Sequence, residues 1–406
     1  MDKDVAVGTK FMLEVNASAI LRRLRDARRA SVSELAKQTG LSRQAVTRSL
    51  AVLESTGLVE ISAPDRAASP AGRPPQMVRF RAEAGHVLAV DVQPRQVRLV
   101  LADLAGDVTA ETTGPLRRSS GPALAESIGT AVAGLLERAG IGRDGVWHAT
   151  AAAPGIVDHA TGRVTLSVSL PEAVGDAILD GVRAAVDAPV AVDNDIKLAT
   201  TGERWRGTPH AEQALVFVDW GERIGAGIVL RGELWRGASN DAGDLGYLDV
   251  AGPGAVAEPG SPSDDEDLGP FERWVGSREL LRIAAREGGL SGPPTLPELA
   301  AATEAGAAWA LAAVHEISGR FAKGIAAIRA LLDPEVIVIG GDLAVLGAAL
   351  LDALAGALRS ERLGQPRLEI SALGPDAIVH GAIHHSLSWV ERERLETPSL
   401  LSQENR

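Results

Sequence analysis

Leu41 to Glu60 reads LSRQAVTRSLAVLESTGLVE, and its periodicity decides how the amino-terminal part of the chain folds. Ser42 is placed to cap a helix in which Ala45, Val46, Leu50 and Leu53 fall on one inward face. Arg43, Gln44, Thr47 and Arg48 are left on the outer side. Just before it, SVSELAKQTG offers Ser31 with Glu34 three residues on, a capping box, and stops at Gly40. Further upstream, NASAILRRLRDARRA aligns Ala17, Ile20, Leu21 and Leu24 on one face of another helix. The short turn between the second and third helices predicts a helix-turn-helix whose last helix points outward. Such a helix suits a DNA duplex: Arg and Gln read base edges in the major groove, while Thr and a second Arg hold phosphates.

After Gly57, LVEIS and QMVRFR read as two strands around PDRAASPAGRPP, which adds a wing. Ala71-Gly72-Arg73-Pro74 sets Arg73 in a narrow extended turn able to enter a minor groove, with an ordinary linker arginine as the alternative. Charge follows the same division. Residues 1–82 hold 14 Lys and Arg against 8 Asp and Glu, although the whole chain has a net charge of -12. A basic head on an acidic body implies two different partners.

The 406 residues allow two or three domains, and the absence of cysteine excludes disulfides and thiolate metal sites. The polar, basic start lacks the apolar core of a signal peptide, and no apolar run reaches the ~18 residues of a membrane helix. The expectation is a soluble cytoplasmic protein with no membrane partner.

From His86 onward the pattern changes. HVLAVDV, QVRLVLAD and GDVTAET form an expected antiparallel meander, followed by the helical GPALAESIGTAVAGLLERAG. VWHATAAAPGIVD, APVAVDND, ALVFVDWG, AGIVLRGELW and EVIVIGG supply further strands, with long alanine-rich helices between the last ones. Hairpin strands followed by strand-helix units occur twice, from His86 and from Ala214, which predicts two similar lobes around a cleft. Ligands of such folds sit in the cleft at the strand ends.

APGIVDHATGRV, VDNDIKLATTGERWRG, GAGIVLRGELWRGASNDAGDLGY and VIVIGGDLAVLGAALLDAL, in this order, resemble the ROK family of sugar kinases and sugar-responsive repressors. The likeness spans residues 85–390, and the winged helix in front is similar to the repressor branch. It implies an α/β fold: an N-terminal winged helix-turn-helix followed by a two-lobed, actin-like ROK domain of the sugar kinase and ribonuclease H type. The expected division is residues 1–82 for the DNA-binding domain and linker, 83–198 with 376–395 for the first lobe, 199–375 for the second, and 396–406 for a tail.

Departures from the family pattern concentrate on its phosphate-binding parts. Where kinases of the family carry Asp-x-Gly-Gly-Thr, this chain has Asp91-Val92-Gln93-Pro94-Arg95, without glycine and with a proline that has no N–H to give. The Gly-Thr-Gly-Ile-Gly-x-Gly loop becomes Gly221-Glu222-Arg223-Ile224-Gly225-Ala226-Gly227, and Glu222 would meet a phosphate with like charge. Gly340 and Gly341 remain but are followed by Asp342, and they read more simply as a strand-to-helix turn.

On the sugar side, the resemblance carries the family's hydroxyl-binding pair onto Asn194 and Asp195, its Glu-x-x-His pair onto Asp244 and Tyr247, and a third sugar carboxylate onto Glu272. A phenol is a poor zinc ligand, and the zinc loop is replaced by the cysteine-free AGPGAVAEPGSPSDDEDLGP. No cofactor, metal or catalytic residue is therefore expected. Asn194, Asp195 and Glu272 hydrogen-bonding a turn is the plainer alternative. The adjacent His384 and His385 read as a helix surface, and Trp205, Trp235 and Trp274 stand near the cleft motifs, where core packing competes with sugar stacking.

The resulting expectation is a repressor that binds a double-stranded DNA operator as a homodimer or homotetramer and responds to a sugar or sugar derivative. A sugar kinase with an appended DNA-binding head is the alternative, and a repressor whose cleft has decayed to scaffold is a third.

Overall fold

The computed structural model describes residues 3–62, 76–207, 213–250, 267–358 and 365–395. Arg73, most of the acidic loop and the tail lie outside the described residues.

The head comprises α1 (Lys3–Ala27), β1 (Arg29–Ser31), α2 (Val32–Thr39), α3 (Arg43–Ser55), β2 (Val59–Ser62) and β3 (Met77–Phe80). The capping box forms as its sequence requires: Glu34 N–H donates to Ser31 Oγ at 3.2 Å and Ser31 N–H to Glu34 Oε2 at 2.7 Å. Gly40 closes α2 in the left-handed region at φ 70°, and Ser42 Oγ caps α3 by accepting from Ala45 N–H at 3.2 Å. One boundary differs from the periodicity. The first helix ends at Ala27 rather than running on to Ala30, because Arg28 turns at φ 61° and Arg29–Ser31 pair antiparallel with β3. The wing is therefore a three-stranded sheet in the order β1-β3-β2.

The body begins with β4 (His86–Val92), β5 (Gln96–Asp103), β6 (Val108–Pro115), α4 (Gly121–Ala139) and β7 (Val146–Ala153). The short pair β8 (Ile156–Asp158) and β9 (Arg163–Leu166), α5 (Ala177–Arg183), β10 (Val190–Asn194) and α6 (Asp195–Arg206) follow. Next come β11 (Ala214–Trp220), β12 (Ile224–Leu230), β13 (Glu233–Trp235), α7 (Pro270–Val275), α8 (Ser277–Gly288), α9 (Leu296–Glu304) and α10 (Ala308–Leu332). The chain continues through β14 (Val336–Gly340), α11 (Gly347–Leu358), β15 (Arg367–Ile370) and α12 (Ala377–Val390), ending in a π turn at Glu391–Leu395. Neither β9 nor β15 stood out in the sequence, since RVTL and RLEI are four-residue strands with a charged residue at their start.

The repeat read from the sequence is a repeat of topology. One five-stranded sheet runs β10-β7-β4-β5-β6 and the other β13-β12-β11-β14-β15. In each, an antiparallel meander is extended by two parallel strands from its first member: β7 then β10 beside β4, and β14 then β15 beside β11. Helices α4 and α5 cover one face of the first sheet, and α7 to α11 cover one face of the second.

Between the two sheets, α6 and α12 cross. The crossing is close enough to require glycine on both helices: a Cβ on Gly202 would overlap the Ala377 carbonyl, and one on Gly381 would overlap that of Leu198. Glu203 ties α6 to the segment before α12 by accepting from Ser371 Oγ at 2.8 Å and Ala372 N–H at 2.9 Å.

The head shares a core with this crossing. Ile20, Leu21 and Leu24 of α1 pack in one cluster with Val379, Ile383, Leu387 and Val390 of α12 and Leu395 beyond it. Arg25 adds an ion pair to Glu391 at 3.1 Å. Apolar burial outweighs that pair, at about 1.5–3 kcal/mol per large side chain against less than about 1 kcal/mol for a partly exposed ion pair. Head and body are thereby one packed unit along α1 and α12.

Candidate functional site

On the head, α3 buries Val46, Ser49, Leu50 and Leu53 and exposes Ser42, Arg43, Gln44, Thr47 and Arg48. Thr47 Oγ1 donates back to the Arg43 carbonyl at 2.9 Å, so its hydroxyl oxygen can still accept. The face is continuous, polar and cationic, as a groove-binding helix requires.

In the body, a cavity of about 550 Å³ opens between the two sheets. Asn194, Asp195, Asp244, Tyr247 and Glu272 all line it, so residues separated by up to 78 positions in sequence meet in one place. Their roles differ. Asn194 caps α6, its Oδ1 accepting from Lys197 N–H at 3.0 Å while its amide donates to the Gly155 carbonyl and to Asp195 Oδ1, both at 2.9 Å. Glu272 is buried, and its two oxygens accept from the N–H groups of Ile224 at 3.0 Å and Gly269 at 2.7 Å. Both side chains thus hold the walls of the cavity as well as lining it. Asp195 Oδ1 also accepts from the Ile196 N–H at 2.8 Å, and Tyr247 is 58% exposed.

Sequence reasoning missed the groups that tie the two lobes together beside the cavity. Arg236, beyond β13, donates to both oxygens of buried Asp193 on β10 at 2.8 and 2.6 Å. Asn240, left-handed at φ 64°, donates to the Val157 carbonyl at 2.6 Å. These contacts join the second sheet's loop to the first lobe across the cleft. Their only sequence signal was an Arg and an Asn inside a polar loop, RGASND, which fixes no partner. Buried Lys197 also lines the cavity, one helical position past Ile196.

The opposite wall is acidic. Pro94, Asp219, Glu222 and Asp342 face the same space, at the positions where phosphate-binding backbone would be needed. Glu222 pairs with Arg278. Burial first, and then the charge of Asp342, push the Asp219 carboxyl up to about 6. Burial, with Asp219 and Asp91 adding to it, pushes Asp195 up to about 7. Asp244 is also raised, by burial and then by Glu272 and Asp241. This wall differs from a phosphate cradle in that Pro94 has no N–H to give and Asp219, Glu222 and Asp342 bring carboxylates to it, with Arg223 the cation beside them. A zinc site does not fit the Asp244 and Tyr247 positions, where the donors are one carboxylate and an exposed phenol in a chain with no cysteine.

The structure decides between the two readings of the tryptophans and corrects the reading of the histidines. Neither Trp205, Trp235 nor Trp274 lines the cavity: Trp274 is in the second lobe's core, Trp235 is 54% exposed, and Trp205 packs against His384 with ring centroids 5.2 Å apart. The His384–His385 pair is also not a free helix surface. His385 Nδ1 is 3.0 Å from Thr150 Oγ1, inside a cluster with His148 and Ser386. Burial holds His148 down to about 3 and His385 to about 4, so both imidazoles are neutral.

The family model described as ROK family matches residues 87–384. The chain belongs to the ROK family. A second model, described as MarR family, matches residues 13–68, a span that takes in part of α1 and all of β1, α2, α3 and β2. Among ROK relatives, a xylose repressor of Caldicellulosiruptor bescii is 21% identical over 389 residues, covering 92% of this chain and 95% of its own. A glucokinase of Halalkalibacterium halodurans is 27% identical over 316 residues, covering 72% of this chain and 92% of its own. Among solved structures, a ROK family transcriptional regulator described as a homolog of the E. coli MLC protein superposes with a TM-score of 0.73 at 20% identity, over 97% of this chain and 99% of that one. A ROK glucokinase from Streptomyces griseus gives a TM-score of 0.61 at 22% identity, over 75% of this chain and all of its own. The repressor and the regulator match across head and body together, whereas the glucokinases cover 72% and 75% of the chain. The winged helix-turn-helix in front of an actin-like ROK body is thus established as the fold.

Proposed function

We propose that the protein is a sequence-specific DNA-binding transcriptional repressor whose operator affinity is set by a sugar or sugar derivative in the interlobe cleft, and that it has no kinase activity. The observation that carries this reading is the pairing of two surfaces. An outward basic helix, Arg43 to Arg48, is packed through α1 onto a body whose phosphate wall holds Pro94, Asp219, Glu222 and Asp342. Regulator relatives that match over both parts support it.

Under this reading Asp195, Asp244 and Tyr247 offer hydroxyl-binding groups to the effector, while Asn194 and Glu272 keep the walls in shape. The chain divides into the head and linker at 1–82, a first lobe at 83–198 with 376–395, a second at 199–375 and a tail. Ligand and operator affect each other reciprocally through the lobe arrangement, α6, α12 and α1. A homodimer or homotetramer would protect half-sites about one helical turn apart, or a multiple of it.

Footprinting on DNA upstream of the protein's own gene tests the first half: paired half-sites support it, and uniform protection contradicts it. ADP release with Mg-ATP and a panel of sugars tests the second. Retained Asn194 and Asp195 favour a sugar kinase with a DNA-binding head as the second reading, and sugar-dependent ADP release would establish that one instead.

A further inference from the structure

Behind α6, away from the cleft, lies a second cavity of about 250 Å³. It shares no lining residue with the first. Thr201, Arg204 and Trp205 of α6, Val229 of β12, Leu234 of β13 and His384 of α12 form its walls. No carboxylate is among the lining residues. Arg204 Nη1 donates to the Gly232 carbonyl at 2.7 Å, but its Nε is buried with no hydrogen-bond partner. Buried donors in native proteins are nearly always satisfied, so a lone guanidinium nitrogen beside a void calls for an acceptor. The neighbouring Glu203 is turned the other way, onto Ser371, Ala372 and Leu373. Thr201 is occupied as well, its hydroxyl donating to the Lys197 carbonyl at 3.0 Å.

We propose that this cavity is a second ligand site for a small organic anion, whose carboxylate or phosphate is held by Arg204 and His384 and whose remainder packs on Trp205, Val229 and Leu234. The chemistry follows from the walls: Arg204 and His384 supply nitrogen donors, and Trp205, Val229 and Leu234 supply apolar surface. Burial first, and then the charges of Arg25 and Arg204, lower the His384 pKa, with Glu391 opposing them, so Arg204 supplies the positive charge and His384 a ring N–H. The size suits a compact ligand, since drug-sized pockets begin at about 300 Å³. The walls come from α6, α12 and the second sheet, so an occupant touches the elements that join head to body. A bound anion at this place gives the regulator a second metabolic input, independent of the cleft.

The full-length protein is titrated with inorganic phosphate, glycerol 3-phosphate, pyruvate and benzoate at constant ionic strength. Melting temperature and tryptophan fluorescence are followed together. Saturable stabilisation by at least one probe is expected, and the phosphates or the carboxylates that act identify the source. Arg204→Gln should weaken it roughly tenfold or more, as loss of a charge-assisted hydrogen bond does. His384→Gln should weaken it less, and serves alone if Arg204→Gln does not fold. Asp195→Asn should leave it unchanged. Absence of saturation with every probe, undiminished binding in both cavity variants, or loss in Asp195→Asn would each overturn the proposal.

Discussion

Gly202 of α6 and Gly381 of α12 meet backbone to backbone, a Cβ on Gly202 falling 2.7 Å from the Gly381 nitrogen and closer still to the Ala377 carbonyl. Through this contact the helix that starts at cleft residue Asp195 bears directly on the helix that packs against the head.

Gly202→Ala is expected to destabilise the protein by about 1–3 kcal/mol, because the obstructing atoms are backbone and cannot rotate aside. Gly319→Ala, on the exposed face of α10 with nothing within 4 Å, should stabilise by about 0.5–1 kcal/mol from helix propensity alone. Urea midpoints of the two variants, moving in opposite directions, check the crossing.

The Asp193–Arg236 pair should act as a latch between the lobes. Burial works against the Asp193 charge, but Arg236 holds its carboxyl below the ordinary value. Arg236→Ala leaves that carboxylate buried and unpaired, at roughly 3 kcal/mol, the lower end for a buried pair because Arg236 is 24% exposed. Adding Asp193→Asn should recover part of the loss in denaturant unfolding, and failure to recover any would rule out the unpaired charge as the cause.

Asp195 and Asp219 give stability a defined pH dependence. Their carboxyls are raised to about 7 and about 6 from 3.8, so the folded state holds protons that the unfolded state has released. Their contribution is fully present below pH 3.8 and is lost as pH rises through 6 to 7. Asp195→Asn, neutral throughout, should therefore be more stable than the parent at pH 8 and equal to it near pH 4. Equal stability at both values would mean that Asp195 is charged in the native protein at neutral pH.

The basic face of α3 separates two kinds of contact. Arg43→Ala or Gln44→Ala should relax sequence preference, costing about 1–3 kcal/mol of discrimination where a base edge is read. Arg48→Ala should weaken binding to every duplex and lower the salt slope by about 0.9 per copy bound. Salt titrations on specific and random duplexes distinguish them.

Much of this was legible in the sequence, for physical reasons that differ by region. Caps at Ser31 and Ser42, the Gly40 stop and the inward faces of the helices are local, so they could be read directly. The doubled meander was equally plain, because near-continuous apolar strands such as HVLAVDV and ALVFVDW announce sheets buried on both faces. The end of α1 was not, since Arg28 to Ser31 is claimed by β3 from 46 or more residues away. Within the cleft, residue types at Asn194, Asp195, Asp244, Tyr247 and Glu272 pointed to one place. Their duties did not, because Glu272 serves the N–H of Ile224, 48 residues distant. Arg236 and Trp205 acquire meaning only through partners, Asp193 and His384, that sequence spacing cannot supply.

The central claim is tested most directly by fluorescence anisotropy of the full-length protein on duplex DNA from upstream of its own gene, at fixed salt, with and without a panel of sugars. Specific binding that one sugar weakens or tightens, with the response lost in Asp195→Asn, is the predicted result. Binding no stronger than to random duplex, or specific binding indifferent to every sugar, would contradict it.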